Sequence, residues 1–197
     1  MIFNIIIAAL GTALLVWAAI VDSRTRKIPV ATGFGMLGLG LTVLVRDKGG
    51  ISLWAVYYLL AIWCTRGGVW QIVLVVASIG MLWAFEWEAA PLVLGITFVS
   101  LLFWRNWFGG GDSQLAFGMI GIGHDWLVLA LLFGLTIVFG VGLTIIHRGG
   151  IQQGVQRLAS VARRLGESPD SEAIRTPWGI VAAVAGVSYL WLWALVL

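Results

Sequence analysis

Eight apolar runs, most of them near the length that crosses a lipid bilayer, constrain this chain more than any other feature. They fall at about 2–21, 29–45, 51–64, 69–85, 90–104, 113–123, 126–147 and 178–197. A hydrocarbon core about 30 Å thick takes roughly 20 helical residues, and fewer where a helix is partly buried in protein. Backbone polar groups in that core must be satisfied within the segment itself, which selects helices over open strands. The expected fold is all-α: a polytopic transmembrane helical bundle of six to eight helices, forming a single integral membrane domain over 1–197. The runs at 51–64 and 113–123 are short for a full span and compatible with re-entrant or tilted pieces.

Composition closes off the alternatives. With 60% hydrophobic and 11% charged residues, neither an ordinary soluble domain nor a disordered chain is available. The 26 glycines and 12 tryptophans suit closely approaching spans with aromatic side chains at the lipid–water boundary. Cys64 is the single cysteine, so no internal disulfide or cysteine-paired zinc site is expected. A net charge of +3 gives no reason to expect a nucleic-acid partner. The first run resembles a secretory signal in position only. Met1 to Asn4 holds no basic residue and the Arg24-Thr25-Arg26-Lys27 cluster follows the run, so it reads as a retained helix.

Basic residues in short loops favour the cytoplasmic side. With the N-terminus outside, ten of the twelve fall in inner loops and only Arg46 and Lys48 outside. Asp47, Glu86, Glu88 and Asp125 then occupy outer turns, and Trp70, Trp87, Trp104, Trp126 and Trp178 lie near helix ends. The long polar stretch 148–176 falls inside. Its Ile151, Val155, Leu158, Ala162 and Leu165 repeat at helical spacing against Gln152, Gln156, Arg157, Arg163 and Arg164, which predicts a cytoplasmic amphipathic helix. That helix either rests on anionic headgroups or offers a docking surface for a protein.

Two carboxylates stand out because acidic groups near membrane depth are costly. Asp22 directly follows the first run, and Asp112 closes Gly109-Gly110-Gly111-Asp112 just before another. Four runs lie between them, an even number, so both return to the same side of the membrane. Two adjacent carboxylates sharing a proton can activate a water and polarise a peptide carbonyl together. Such a pair titrates as a unit, which leaves the base and the acid unassigned. The glycines before Asp112 would let a substrate strand approach the backbone closely. The simpler alternative for Asp22 alone is an ion pair with Arg24 or Arg26. His124 and Asp125 have no second histidine or cysteine predicted beside them, so no metal site is expected.

Taken together, Asp22 followed by basic residues and Ile28-Pro29, a Gly-x-Gly-Asp entering a helix, and Thr176-Pro177-Trp178-Gly179 opening the last run resemble the type IV prepilin peptidases, membrane aspartic proteases of the GxGD kind. The last of these motifs is similar to the Pro-Tyr-Gly start of the small, peptidase-only branch that serves tight-adherence pili. The resemblance implies an enzyme of the prokaryotic cytoplasmic membrane that removes basic leaders from prepilin-like precursors at the cytoplasmic face. It makes Asp22 and Asp112 the catalytic pair. Gly109, Gly110, Gly111 and Gln114 are the expected substrate-binding positions. The cysteine-bearing insertion of the methylating members is missing, so proteolysis without methyl transfer is implied, with no cofactor. The expected partners are the precursor protein and the bilayer; oligomeric state is not encoded in any motif. Two positions depart from the family pattern: Val30 stands where Asn usually follows Ile-Pro, and Gln114 where Lys usually follows the second aspartate by two. Those losses of polar groups keep open a non-catalytic membrane component of a pilus or secretion assembly. A small proton- or cation-coupled transporter using the same two carboxylates also stays open.

Overall fold

The computed structural model describes residues 1–25, 27–50, 52–64, 69–104, 110–147 and 178–196. Gly109 and the amphipathic helix expected within 148–176 lie outside the described residues. Within them all regular structure is helical: α1 (Ile2–Thr25), α2 (Val30–Asp47), α3 (Leu53–Cys64), α4 (Val69–Trp104), α5 (Gly110–Gly123), α6 (Trp126–His147) and α7 (Trp178–Val196). Among the described residues, four stretches are long and apolar enough to cross a membrane, namely Ile2–Thr25, Val30–Asp47, Trp87–Trp104 and Gly179–Val196.

Local chemistry explains where the first helices break. The Thr25 hydroxyl donates to the Val21 carbonyl at 3.0 Å and lies 3.2 Å from the Lys27 carbonyl, while Pro29 keeps Ile28 out of helical geometry. Pro29 sits at φ −60° and ψ 134° just ahead of α2, where its missing N–H costs nothing. Thr32 ties back to the Pro29 carbonyl at 2.6 Å and is buried.

The helix α4 merges the two runs expected at 69–85 and 90–104, but it is not one straight rod. The hydroxyls of Ser78 and Thr97 lie 3.4 Å apart across 19 residues. A straight helix would separate them by about 28 Å. The chain therefore reverses direction within α4, around Glu88. Pro91 supplies the reason, since it lacks the N–H that would bond one turn back and its ring crowds the carbonyl there. The first leg runs antiparallel to α3, with Trp63 against Trp70 (6.2 Å between ring centroids), Tyr57 bonded to Ser78 (3.0 Å) and Trp54 against Phe85 (5.2 Å). At 12 residues α3 is about 18 Å long, short of a full span.

Apolar side chains gain little by leaving lipid for another apolar surface, so these helices associate through close approach of small residues. The helices α1 and α7 are antiparallel: Gly11 faces Leu190, Thr12 accepts from the Trp191 indole at 3.1 Å, and Ala18 and Asp22 face Gly179. By contrast α2 and α5 are parallel. Ile28 lies against Gly111, Gly33 against Gln114, Met36 against Gly118 and Gly40 against Gly121. Parallel neighbours need an odd number of intervening passes, and α3 with the two legs of α4 makes three.

Tyr58 of α3 wedges its fully buried ring into the Gly40–Gly121 crossing and donates its hydroxyl to the Phe117 carbonyl at 3.0 Å. Tyr58→Phe keeps the ring and removes that bond. It should lower stability by about 1 kcal/mol, read as a shifted unfolding midpoint in detergent. A variant as stable as the parent would show that the ring alone sets the crossing.

Candidate functional site

The helix directions define two ends. One gathers the C-terminal end of α1 and the N-terminal ends of α2, α5 and α7. Asp22 sits there in the last turn of α1, only 6% exposed, and its Oδ2 accepts the N–H of Gly179 at 3.0 Å. That N–H belongs to the first turn of α7, whose donors have no partner within the helix, so a carboxylate there satisfies one and meets the positive end of the helix dipole. Asp112 stands in the first turn of α5, half-buried, where its own helix favours negative charge in the same way. The contact of Gly111 with Ile28 brings the start of α5 against the segment that follows Asp22. Both predicted catalytic residues therefore lie at one end of the bundle.

The predicted substrate positions divide. Gly110 is exposed, and no described residue comes within 4 Å of where its side chain would stand. A Cβ on Gly111 would come within 2.7 Å of the Ile28 Cβ, so the room left by this glycine is filled by the protein's own chain. Gln114 packs against Gly33 of α2, and its buried Oε1 has no hydrogen-bond partner among the described residues. Val30 is 63% exposed at this end, and Arg24 and Lys27 are exposed there too. Gly179 is the residue whose role sequence reasoning missed. The motif around it was visible, but nothing in it reports a bond to a side chain 157 positions away.

The opposite end carries the remaining described charges. Arg46 donates to Asn4 (2.6 Å), pairs with Asp47 (2.6 Å) and stacks 4.3 Å over the Phe3 ring, while Lys48 lies 4.1 Å over Trp54 and 4.0 Å from Glu88. Trp87 and Trp126 meet there with ring centroids 6.4 Å apart. Asp125 caps α6 through the Val128 N–H (2.8 Å) and accepts the Tyr189 hydroxyl (2.9 Å). Its neighbour His124 takes a left-handed φ of 35° between α5 and α6. Among the described residues no three histidine, cysteine or acidic side chains gather in a way that could hold a metal ion.

Burial, reinforced by the charge of Lys48, holds the His124 pKa below its ordinary 6.5. The unfolded chain then takes up the proton first as pH falls. Stability from this residue is complete above 6.5 and is lost as pH drops from there toward the lowered folded value. The parent should therefore lose thermal stability relative to His124→Asn as pH falls below about 6.5, since the Asn side chain tolerates positive φ and does not titrate. Parallel melting curves for the two proteins would refute this.

No family model, curated protein or solved structure matches this chain.

Proposed function

We propose that this chain is a membrane aspartic endopeptidase, resembling the peptidase-only type IV prepilin peptidases, that cleaves leaders from prepilin-like precursors. The observation that carries the reading is the common end of Asp22 and Asp112. Arg24 and Lys27 at that end support an orientation toward the cytoplasm, with the acidic Asp47, Glu88 and Asp125 facing out. On this reading α2, α3 and the two legs of α4 are the four passes that return the chain to the cytoplasmic face.

The chemistry needs one proton shared by two carboxyl groups. The ionised member takes a proton from water, and that water oxygen attacks the carbonyl carbon of the leader's last peptide bond. The protonated member donates to the carbonyl oxygen. The resulting tetrahedral species collapses as the C–N bond breaks and the departing amine takes up a proton. Which carboxylate plays which part is left shared.

A second reading draws on the bond between Asp22 and Gly179. In a non-catalytic membrane component, Asp22 would serve only to hold α7 to α1. Asp22→Asn separates the two, because the amide oxygen of Asn still accepts the Gly179 N–H while it cannot exchange a proton. The test is co-reconstitution of the purified protein with a precursor bearing a basic leader ending in glycine ahead of an apolar helix. The protease reading requires a shortened product from the parent and none from Asp22→Asn or Asp112→Asn. Undiminished processing by both variants would sink it.

A further inference from the structure

Among the described residues the Asp22 carboxylate is held by one oxygen only. Its Oδ2 accepts the Gly179 N–H at 3.0 Å, and among the described residues Oδ1 accepts no hydrogen bond. We propose that Gly179 is a positioning residue for the reaction, engaging Oδ2 so that Oδ1 is the oxygen presented to water and substrate. The inference rests on the protease reading above and adds to it a residue and an atom assignment.

Three observations carry it. The bond lies in a buried setting, with Asp22 6% exposed and Gly179 itself buried, which limits competition by water for the Gly179 amide. The donor is a backbone amide in the first turn of a helix, fixed in direction by the fold, unlike a side chain that can rotate away. Finally, the approach demands glycine. A Cβ at 179 would lie 2.8 Å from the Asp22 Cβ, 3.0 Å from Oδ2 and 3.2 Å from the Ala18 carbonyl oxygen. A carboxylate with one oxygen anchored and its Cβ packed against a helix backbone keeps a single side-chain conformation. A reacting group requires that, since small displacements are expensive in rate.

The experiment replaces Gly179 by glycolic acid in the full chain, turning the 178–179 amide into an ester. This removes the N–H and adds no atom that could clash. Cleavage kinetics on the precursor are read beside the Asp22 carboxylate stretching band in protein carrying labelled aspartate, with Asp22→Asn identifying the band. The expected result is a shifted Asp22 band, KM within about twofold of the parent, and kcat lower by about tenfold to a hundredfold. Gly179→Ala, which keeps the N–H but crowds Asp22, should also lose kcat. An unshifted band, or a shifted band with unchanged kcat, overturns the positioning role while leaving the protease reading standing. Full activity in Gly179→Ala does the same. If the parent produces no cleavage, or Asp22→Asn cleaves like the parent, the protease reading falls and this inference falls with it.

Discussion

Asp112→Asn is expected to lower kcat/KM for precursor cleavage by about a thousandfold or more, Asp22→Asn by a similar factor, and the double variant by no more than either alone. Independent contributions would multiply, but two carboxyl groups that share one proton act as a unit, and removing either destroys the same transition state. Asn matches Asp in size and still accepts a hydrogen bond, so the Gly179 contact survives and the Asp22→Asn protein should keep the parent's unfolding midpoint. A structural role makes the opposite forecast: processing unaffected, and any change confined to stability. Cleavage rates and melting curves measured on the same four proteins decide the matter. Losses that multiply in the double variant would show that the two residues do not work as a pair.

Gly118→Ala should cost about 2–3 kcal/mol of stability, and Gly118→Leu should fail to accumulate as a folded protein, although both changes raise helix propensity. A Cβ at 118 would lie 2.6 Å from the Met36 carbonyl carbon, its oxygen and its Cβ. Two of those atoms are backbone, so no side-chain rotation relieves the clash and α2 must move away from α5. The parallel pairing of these helices also brings Ile28 to Gly111, so the damage extends to the Asp22 end. Gly38→Ala is the control. It lies on the exposed side of α2 with no described residue within 4 Å of an added Cβ, and it should be neutral or stabilising by up to about 1 kcal/mol. Unfolding midpoints in one detergent suffice for the comparison, and equal effects at 118 and 38 would mean that helix contact does not set glycine usage here.

Much of the fold was legible because hydropathy is a local property. Each of the described helices except α4 coincides with one expected apolar run, and the short runs at 51–64 and 113–123 became the short helices α3 and α5. Trp104, Trp126 and Trp178 lie at helix ends as a boundary residue should. The runs 69–85 and 90–104 were expected as separate helices. They form one hydrogen-bonded element that turns back on itself near Pro91. A proline can kink a helix or end it, and neighbours decide which; here α3 packs on the first leg while α5 and α6 take the second.

At the candidate site, sequence identified Asp22 and Asp112 because charge beside an apolar run stands out without any partner being known. The glycines were harder to read. Gly109-Gly110-Gly111 looks uniform as letters, but no described residue comes within 4 Å of a Cβ added at Gly110, whereas Gly111 is filled by Ile28, a difference made by the segment that links α1 to α2. Gln114 was expected as a substrate contact, and its side chain lies against Gly33.

By itself, then, the sequence determined that this chain is helical, suited to a bilayer, and burdened with two acids at the margins of its apolar runs. Those are consequences of side-chain transfer energies summed over a window. The tertiary structure alone decided that α2 and α5 lie side by side, that the turn between the runs at 69–85 and 90–104 stays within one helical element, and that the amide of Gly179 meets Asp22 across 157 residues. Such contacts depend on which face of a helix meets which neighbour, and no local sum of hydrophobicity carries that information.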